Sequence, residues 1–364
     1  MKILMLTDSL KAGGKERQLV ELLKGLSEER GFKCELVVMD EDIHYEDVLI
    51  LNIKIRYLIR KTKKDLSIFY KLYHICKEFK PNIIHTWDWI TSFYAFPVTK
   101  LLGIKMINGS IRHGIRLKKF NHIFRSFIAK RSTYVIANSR AGLIVNRLNN
   151  NGRKFILYNG INERFRKKST SISNPIQAKL NNNIDKKIIF ISVSSLTPYK
   201  DYFTVIKSLK LLKKSGYKFL YLIIGDGHLK NDIHREIKKE GLIEYIKLIG
   251  FQKNVEQYLF ISDIFIHSSK GEGASNAILE AMYAGLPIVA TDTGGTNEIV
   301  SHENGLLFEY KNDNDLYNKL KYLLDNPDIR EEFSKESIRI VEEKFTIDNM
   351  IKNYKYVINE IYYD

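Results

Sequence analysis

The chain has 364 residues, 44% apolar and 27% charged, a composition that excludes a disordered chain and leaves room for two domains of ordinary size. Its net charge of +16 is confined to one half: residues 1–168 hold 33 Lys and Arg against 15 Asp and Glu, and residues 169–364 hold 25 against 27. The asymmetry favours an anionic partner for the first half, whether phosphate, nucleic acid or an acidic membrane surface, and no apolar run is long enough to span a bilayer.

Residues 2–6 read as a first β-strand rather than a secretion leader, because the apolar run is short and no cleavage site follows. Leu19, Leu22, Leu23 and Leu26 then recur at helical spacing. Further strands are expected at 35–39, 82–85, 105–108, 133–137 and 154–157, with amphipathic segments between them. Regular alternation of strand and helix means βαβ units and a parallel sheet. The two cysteines, Cys34 and Cys76, sit in apolar segments without C-x-x-C spacing. They read as reduced core thiols of a cytosolic protein.

The basic residues concentrate in two stretches. Residues 54–80 hold nine basic and two acidic side chains, and 112–131 hold seven basic and none acidic. In the second, Ile115, Leu117, Phe120, Ile123, Phe124, Phe127 and Ile128 interleave with Arg116, Lys118, Lys119, Arg125, Lys130 and Arg131. A helix with this pattern suits an anionic membrane interface; the plainer reading is a surface helix of a lysine-rich chain. No nucleic-acid-binding motif accompanies the charge, so nucleic acid is not an expected partner.

Residues 166–186 are rich in Ser, Asn and Lys and read as a linker. The alternation restarts with strands expected at 187–193, 218–224, 246–248, 264–267, 287–290 and 305–308. A last segment, 347–362, places Ile347, Ile351, Tyr354, Ile358 and Ile361 on one helical face. The expected architecture is α/β, with two doubly wound Rossmann-like domains facing a cleft. They would span 1–168 and 169–345, with a final helix, 346–364, packed back on the first domain. Sheets of this kind bind ligands beyond the carboxyl ends of their strands.

Three loops carry candidate chemistry. Gly13 and Gly14 follow the first strand and open a helix whose free N–H groups suit phosphate; a tight turn explains them equally well. Lys200, in Ser194-Ser-Leu-Thr-Pro-Tyr-Lys200-Asp201, stands at a second helix start, where it can neutralise phosphate oxygens; alone it would be a solvated charge. The third loop holds Glu272, with Gly273, Ala274, Ser275 and Asn276 at a helix start and Glu280 within that helix. Small residues there leave backbone N–H groups free for phosphate, and a carboxylate at Glu280 can accept hydrogen bonds from both hydroxyls of a ribose. Asp40-Glu-Asp42 and Asp313-Asn-Asp315 match a metal-binding D-x-D by spelling only and read as solvated loops.

With Gly13-Gly-x-Glu16, Tyr158-Asn-Gly-Ile161, Gly225-Asp-Gly227, Gly250-Phe251, Glu272-x7-Glu280 and Gly294-Gly-x-x-Glu298 in one order, the chain resembles the family 4 glycosyltransferases, retaining enzymes of the GT-B fold, over about residues 1–345. The resemblance implies a nucleotide diphosphate sugar donor of UDP or GDP type, no cofactor and no required metal. With the basic first half, the expected acceptor is a glycan or lipid-linked acceptor, as in bacterial cell-surface polysaccharide synthesis, and the enzyme is expected to be cytoplasmic and peripheral on the inner face of the membrane. By the same resemblance Gly13 and Gly14 lie beside the diphosphate and sugar, and His113 contacts the sugar near its reacting carbon. Lys200 binds the diphosphate, Glu272 the sugar hydroxyls and Glu280 the ribose. Gly225, Asp226, Gly227 and Phe251 border the base. One departure stands out: Ser195 replaces the arginine that the family usually carries before the lysine loop. A charge-assisted hydrogen bond is worth about 1.5–3 kcal/mol, so donor affinity is expected to fall unless Arg112 or Arg17 compensates. A weak or inactive sugar-nucleotide-binding module and a nucleotide-sugar epimerase are the alternatives at this point.

Overall fold

The computed structural model describes residues 1–11, 13–62, 65–115, 119–148, 153–166 and 187–364, with backbone alone for 119–122. The expected linker, apart from Arg166, lies outside the described residues, as do Arg116, Leu117 and Lys118 and the side chains of Lys119 and Phe120. The chain divides into two compact units: residues 1–160 with 347–364, and residues 161–346.

The first unit holds β1 (Lys2–Thr7), β2 (Lys33–Val38), β3 (Lys54–Tyr57), β4 (Ile83–Thr86), β5 (Lys105–Ile111), β6 (Tyr134–Ala137) and β7 (Lys154–Ile156). They form one parallel sheet in the order β3-β2-β1-β4-β5-β6-β7. The period-2 pleat sends alternate side chains of β1 to opposite faces. Ile3 and Met5 join one apolar cluster and Leu4 and Leu6 the other. The first face is covered by α1 (Gly14–Ser27) through Leu19, Leu22, Leu23 and Leu26. The second is covered by α2 (Ser67–Phe79), α3 (Trp89–Leu102) and α4 (Lys119–Arg131), which contribute Leu72, Val98 and Ile128 among others. A short helix, α5 (Arg140–Val145), follows β6. Burial on both faces explains why the strands read as continuous β-branched runs.

Strand β3 was not expected. It is a four-residue edge strand, Lys-Ile-Arg-Tyr, inside the first basic stretch. Its Arg56 reaches Glu35 of β2 at 2.5 Å and Glu78 of α2 at 2.7 Å. Charge on a short edge blunts unwanted strand pairing, and it also hides the strand from a search for apolar runs. Cys34 and Cys76 are buried, in the clusters on opposite faces of the sheet. Burial pushes their thiols up to about 11 and about 12, which makes both unreactive.

The second unit holds β8 (Ile188–Val193), α6 (Tyr202–Lys214), β9 (Phe219–Ile224), α7 (Lys230–Lys239), β10 (Ile246–Gly250), α8 (Glu256–Leu259), β11 (Ile264–His267), α9 (Asn276–Tyr283), β12 (Ile288–Thr291), β13 (Gly305–Phe308), α10 (Asp313–Asp325) and α11 (Pro327–Lys344). Its six strands are parallel, in the order β10-β9-β8-β11-β12-β13. Phe190, Tyr221, Ile266 and Val289 pack beneath α6 and α10. On the other side, Ser334 and Ser337 of α11 donate to the carbonyls of Gly285 and Leu286 at 2.6 and 3.0 Å, fixing α11 behind α9. Both sheets reverse strand order once, between β1 and β4 and between β8 and β11. Such switch points are where doubly wound sheets open a crevice for ligands.

The last helix, α12 (Ile347–Tyr363), belongs to the first unit. Met350, Tyr354, Val357, Ile358 and Ile361 are buried in the same cluster as α1. Lys355 pairs with Glu29 at 2.5 Å, and Tyr354 Oη lies 2.9 Å from His85 Nδ1. His85 is fully buried, and burial first, with the Arg112 charge second, lowers its pKa to about 3. The unfolded imidazole takes a proton near its ordinary value of about 6.5, whereas the folded one stays neutral down to about 3. The His85 contribution to the first unit's stability is therefore full above pH 6.5 and falls by up to about 1.4 kcal/mol per pH unit between those values, opposed below about pH 6 by the raised carboxyl of Asp88. The difference in thermal unfolding between wild type and His85→Gln, followed from pH 7 down to pH 5, will isolate the His85 slope.

Candidate active site

The carboxyl edge of the first sheet carries charge at its switch point. Asp88, just after β4, caps α3 by accepting from the N–H groups of Ile90 and Thr91, each at 2.9 Å, and from that of Asp8 at 2.7 Å. Burial, and then the nearby Asp8, push its carboxyl up to about 6 against the pull of Lys15. Lys15 itself pairs with Asp8 at 2.5 Å. The Arg112 guanidinium stacks on Trp87 at 4.1 Å and donates to the Gly109 carbonyl at 3.2 Å. Burial lowers its pKa to about 10, which leaves it charged at neutral pH. His113 is exposed in the loop after β5.

Gly13 is the N-cap of α1 and Gly14 its first residue. Tyr45 donates its hydroxyl to the Gly13 carbonyl at 2.8 Å. A Cβ added at Gly13 would collide with the Glu16 carboxylate. Glu16 of the same helix thus already places a negative group beside the helix N-terminus, and a side chain at residue 13 would have to displace it.

The second sheet builds a tighter constellation from residues of one unit. Lys200 precedes α6, whose N-cap Asp201 accepts from the Thr204 N–H at 3.3 Å. The main chain at Lys200 forms an antiparallel bridge with Ser269, just past β11. Flanking bonds, Asp201 N–H to Ser268 O at 3.1 Å and Lys270 N–H to Tyr199 O at 2.9 Å, lock the two loops together. On its other side the 268–272 loop is held by β12 and the turn after it. Thr291 and Thr293 donate to the Ser269 carbonyl at 2.8 and 2.9 Å, and Gly295 N–H donates to Glu272 O at 2.8 Å. Gly294 adopts φ 61°, and a Cβ there would run into the Glu272 backbone. The glycine pair of Gly294-Gly-x-x-Glu298 is therefore part of what fixes Glu272.

These clamps set the side chains. The Lys200 ammonium lies 2.6 Å from Glu272 Oε1, and its side chain is only 10% exposed. Glu272 Oε2 lies 2.9 Å from Nε2 of His267, the last residue of β11, which is 3% exposed. Burial alone would raise the Glu272 carboxyl, but the Lys200 charge and then His267 outweigh it and hold it well below the carboxylate range. Burial, followed by the Lys200 charge, lowers His267 against the pull of Glu272. At neutral pH the trio is an ammonium, a carboxylate and a neutral imidazole. Lys200 alone would have read as a solvated lysine; the structure buries it against a carboxylate.

Beyond Glu272, Gly273, Ala274 and Ser275 lead into α9, and Ser275 is its N-cap without a side-chain capping bond. Asn276 opens the helix, and Glu280, in its second turn, is 5% exposed. Gly225 and Gly227 follow β9 at φ 140° and 159°. A Cβ on either would strike the backbone of Ser194 or Leu196, in the loop after β8. These glycines let two loops of one edge approach each other. Asp226 accepts from the Gly227 N–H at 2.8 Å and pairs with Lys230 at 3.1 Å, and Phe251 is 65% exposed after β10. Ser195 is exposed in the loop after β8.

The D-x-D spellings have local partners. Asp40 and Asp42 pair with Lys11 at 2.8 and 3.0 Å, and Asp315 accepts from the Glu309 N–H at 2.8 Å. Among the described residues no cluster of three or more His, Cys, Asp or Glu is arranged to hold a metal ion. His267 was read only as a strand end. The available signal was a histidine closing the apolar run Ile-Phe-Ile-His five residues before Glu272.

Two sequence families match in tandem and together take in most of the chain: Glycosyltransferase Family 4 over residues 12–165 and Glycosyl transferases group 1 over residues 174–339. An N-acetylgalactosamine-N,N'-diacetylbacillosaminyl-diphospho-undecaprenol 4-alpha-N-acetylgalactosaminyltransferase of Campylobacter jejuni is 26% identical over 352 residues, 90% of this chain and 92% of its own length. An Escherichia coli UDP-Gal:alpha-D-GlcNAc-diphosphoundecaprenol alpha-1,3-galactosyltransferase is 25% identical, covering 72% and 71% of the two chains. Among solved structures, Anabaena HepE in complex with UDP superposes with a TM-score of 0.85 over 99% of this chain and 100% of its own, at 19% identity. Staphylococcus aureus TarM follows the same fold, at a TM-score of 0.78 over 98% of this chain and 99% of its own, with 14% identity. With two parallel Rossmann-like sheets, each matched by its own half of the family signature, the chain is an enzyme of the family 4 type of glycosyltransferases, with the GT-B fold.

Proposed function

We propose that the enzyme transfers a hexose-type sugar, with retention of configuration, from a UDP or GDP donor to a lipid-linked glycan of a bacterial cell surface. The observation that carries this reading is the buried Lys200–Glu272 pair at the carboxyl edge of β8 and β11, 2.6 Å apart. A cation held at a switch point beside the N-terminus of α9 is placed to stabilise the charge that develops on a departing diphosphate. Glu272 takes the hydroxyls of the transferred sugar, Glu280 the ribose, and Gly225, Asp226, Gly227 and Phe251 border the base. By the family resemblance His113, Gly13 and Gly14 are assigned to the sugar and diphosphate.

In the proposed step the bond between the anomeric carbon and the phosphate oxygen breaks through an oxocarbenium-like state. The acceptor hydroxyl bonds to the same face, and its proton passes to the departing phosphate oxygen. No metal and no cofactor enters this scheme. Diphosphate-undecaprenol acceptors in the names of two relatives support a lipid-linked acceptor. The basic excess of residues 1–168 supports work at the anionic inner face of a membrane, where α4 exposes Ile123 and Phe127. Among the described residues no helix is long and apolar enough to cross a membrane.

A thermal-shift panel of UDP, GDP, ADP and their common sugar conjugates tests the donor reading. One nucleotide series will raise the unfolding temperature, and Glu280→Ala will abolish the rise. No shift at millimolar ligand would favour a module without a working donor site and would make Ser195 its cause.

A further inference from the structure

Helices α2 and α3 hold a groove of about 480 Å³ between them, lined by Phe69, Tyr70, Tyr73, Pro97, Val98 and Leu101. Its walls are hydrocarbon and ring surface, and the only polar side-chain atoms in the lining are two tyrosine hydroxyls. Tyr70 and Leu101 stand open to solvent at 69% and 75% exposure. The rim is cationic. Lys77 lies 5.6 Å over the Tyr73 ring, Lys100 lies 5.8 Å over that of Phe96, and Lys71 is exposed beside Tyr70. Glu78 is the one acidic residue in either helix, and Lys54 and Arg56 already engage it, at 3.3 and 2.7 Å; Asp65, just before α2, lies within reach of the Lys71 charge. Along α3 the apolar surface continues through Trp89 and Phe93 to Phe124 of α4, each at 5.8 Å.

We propose that this groove seats an acyl chain of an anionic phospholipid and so anchors the first unit to the bilayer. A lining without charged groups, polar only at two tyrosine hydroxyls, fits a hydrocarbon chain better than a small polar ligand. Lys77 and Lys100, with ammonium groups on apolar stems beside the groove, are complementary to anionic headgroups. The same lysines repel a second copy of this face, which argues against a symmetric dimer. The groove lies about 12–18 Å along α3 from the carboxyl end of β4, counting 1.5 Å per residue, and its occupant is taken to be a bilayer phospholipid because the lysines beside it suit an anionic headgroup. The inference rests on the reading that the enzyme works at a membrane surface.

The test is co-sedimentation of the whole chain with phosphatidylcholine vesicles, with and without phosphatidylglycerol, for the wild type, Leu101→Asp and Phe127→Asp. The wild type binds the anionic vesicles. Leu101→Asp weakens binding about tenfold or more, the loss of one large side chain's burial. Its unfolding temperature stays unchanged because residue 101 is exposed. Equal binding by Leu101→Asp, with loss only in Phe127→Asp, would overturn the groove assignment and leave membrane attachment standing. No binding of the wild type to anionic vesicles would overturn both. Lipid-free self-association that Leu101→Asp relieves would give the groove to a second copy and overturn the lipid reading.

Discussion

Glu272→Gln will lower sugar transfer by about 100-fold or more while leaving nucleoside diphosphate binding as tight as in the wild type, or tighter. The two halves of this expectation have one cause. In the free protein the Glu272 carboxylate occupies Lys200, 2.6 Å away, and a diphosphate must compete with it for the same ammonium. Removing the carboxylate's charge removes the competitor, so the nucleotide gains. On the proposed reading the transferred sugar loses a charged acceptor for its hydroxyls, and a charge-assisted hydrogen bond is worth roughly twice a neutral one. The glutamine keeps the shape of the side chain, and the clamps on the loop are backbone bonds and threonine hydroxyls, so the fold is retained. Steady-state transfer and calorimetric titration of UDP and GDP on one preparation check both halves.

Lys200→Ala carries the second large effect, with the opposite sign for binding. Nucleoside diphosphate affinity will fall tenfold to about a hundredfold, as expected for the loss of a charge-assisted contact, and transfer will fall by about 100-fold or more. The variant also strands Glu272. With the ammonium gone, burial acts on the carboxyl opposed mainly by His267, so its pKa rises. His267, freed from the Lys200 charge that helps to lower it, rises as well. Breaking a buried pair by deleting one partner costs about 3–5 kcal/mol; the 31% exposure of Glu272 brings the expected loss of stability to the lower end or below. Lys200→Arg separates charge from shape. On the proposed reading it restores the diphosphate's cation but not the lysine's compact fit beside Glu272, so binding recovers more than transfer does.

Much of the fold was legible because each sheet is parallel and covered on both faces. Runs such as Phe-Leu-Tyr-Leu-Ile-Ile at β9 have no exposed side to interrupt them, so short β-branched runs alternating with helical patterns located twelve of the thirteen strands among the described residues. The exception, β3, is an edge strand whose charged side chains serve long-range ion pairs with Glu35 and Glu78, contacts that no local pattern records. The candidate site was legible as a set of loops but not as a geometry. Spacing placed Glu272 and Glu280 around a helix start. It did not show that Lys200, 72 residues earlier, meets Glu272, because that contact depends on β8 and β11 being neighbours at the switch point. His267 was passed over for the same reason: a histidine at a strand end acquires a role only when the chain five residues on folds back over it. The glycines carried a mixed message. Gly225, Gly227 and Gly294 are needed where one loop's backbone meets another's, and Gly13 leaves room for the Glu16 carboxylate; in sequence Gly13, Gly225 and Gly227 looked like places for a ligand.

The measurement that tests the donor site most directly is calorimetric titration of UDP and GDP into wild type, Glu272→Gln and Lys200→Ala side by side. The account predicts that one nucleotide binds the wild type, binds Glu272→Gln at least as tightly, and binds Lys200→Ala at least tenfold more weakly. Equal affinity in all three proteins would contradict it and would place the nucleotide away from the edge of β8 and β11.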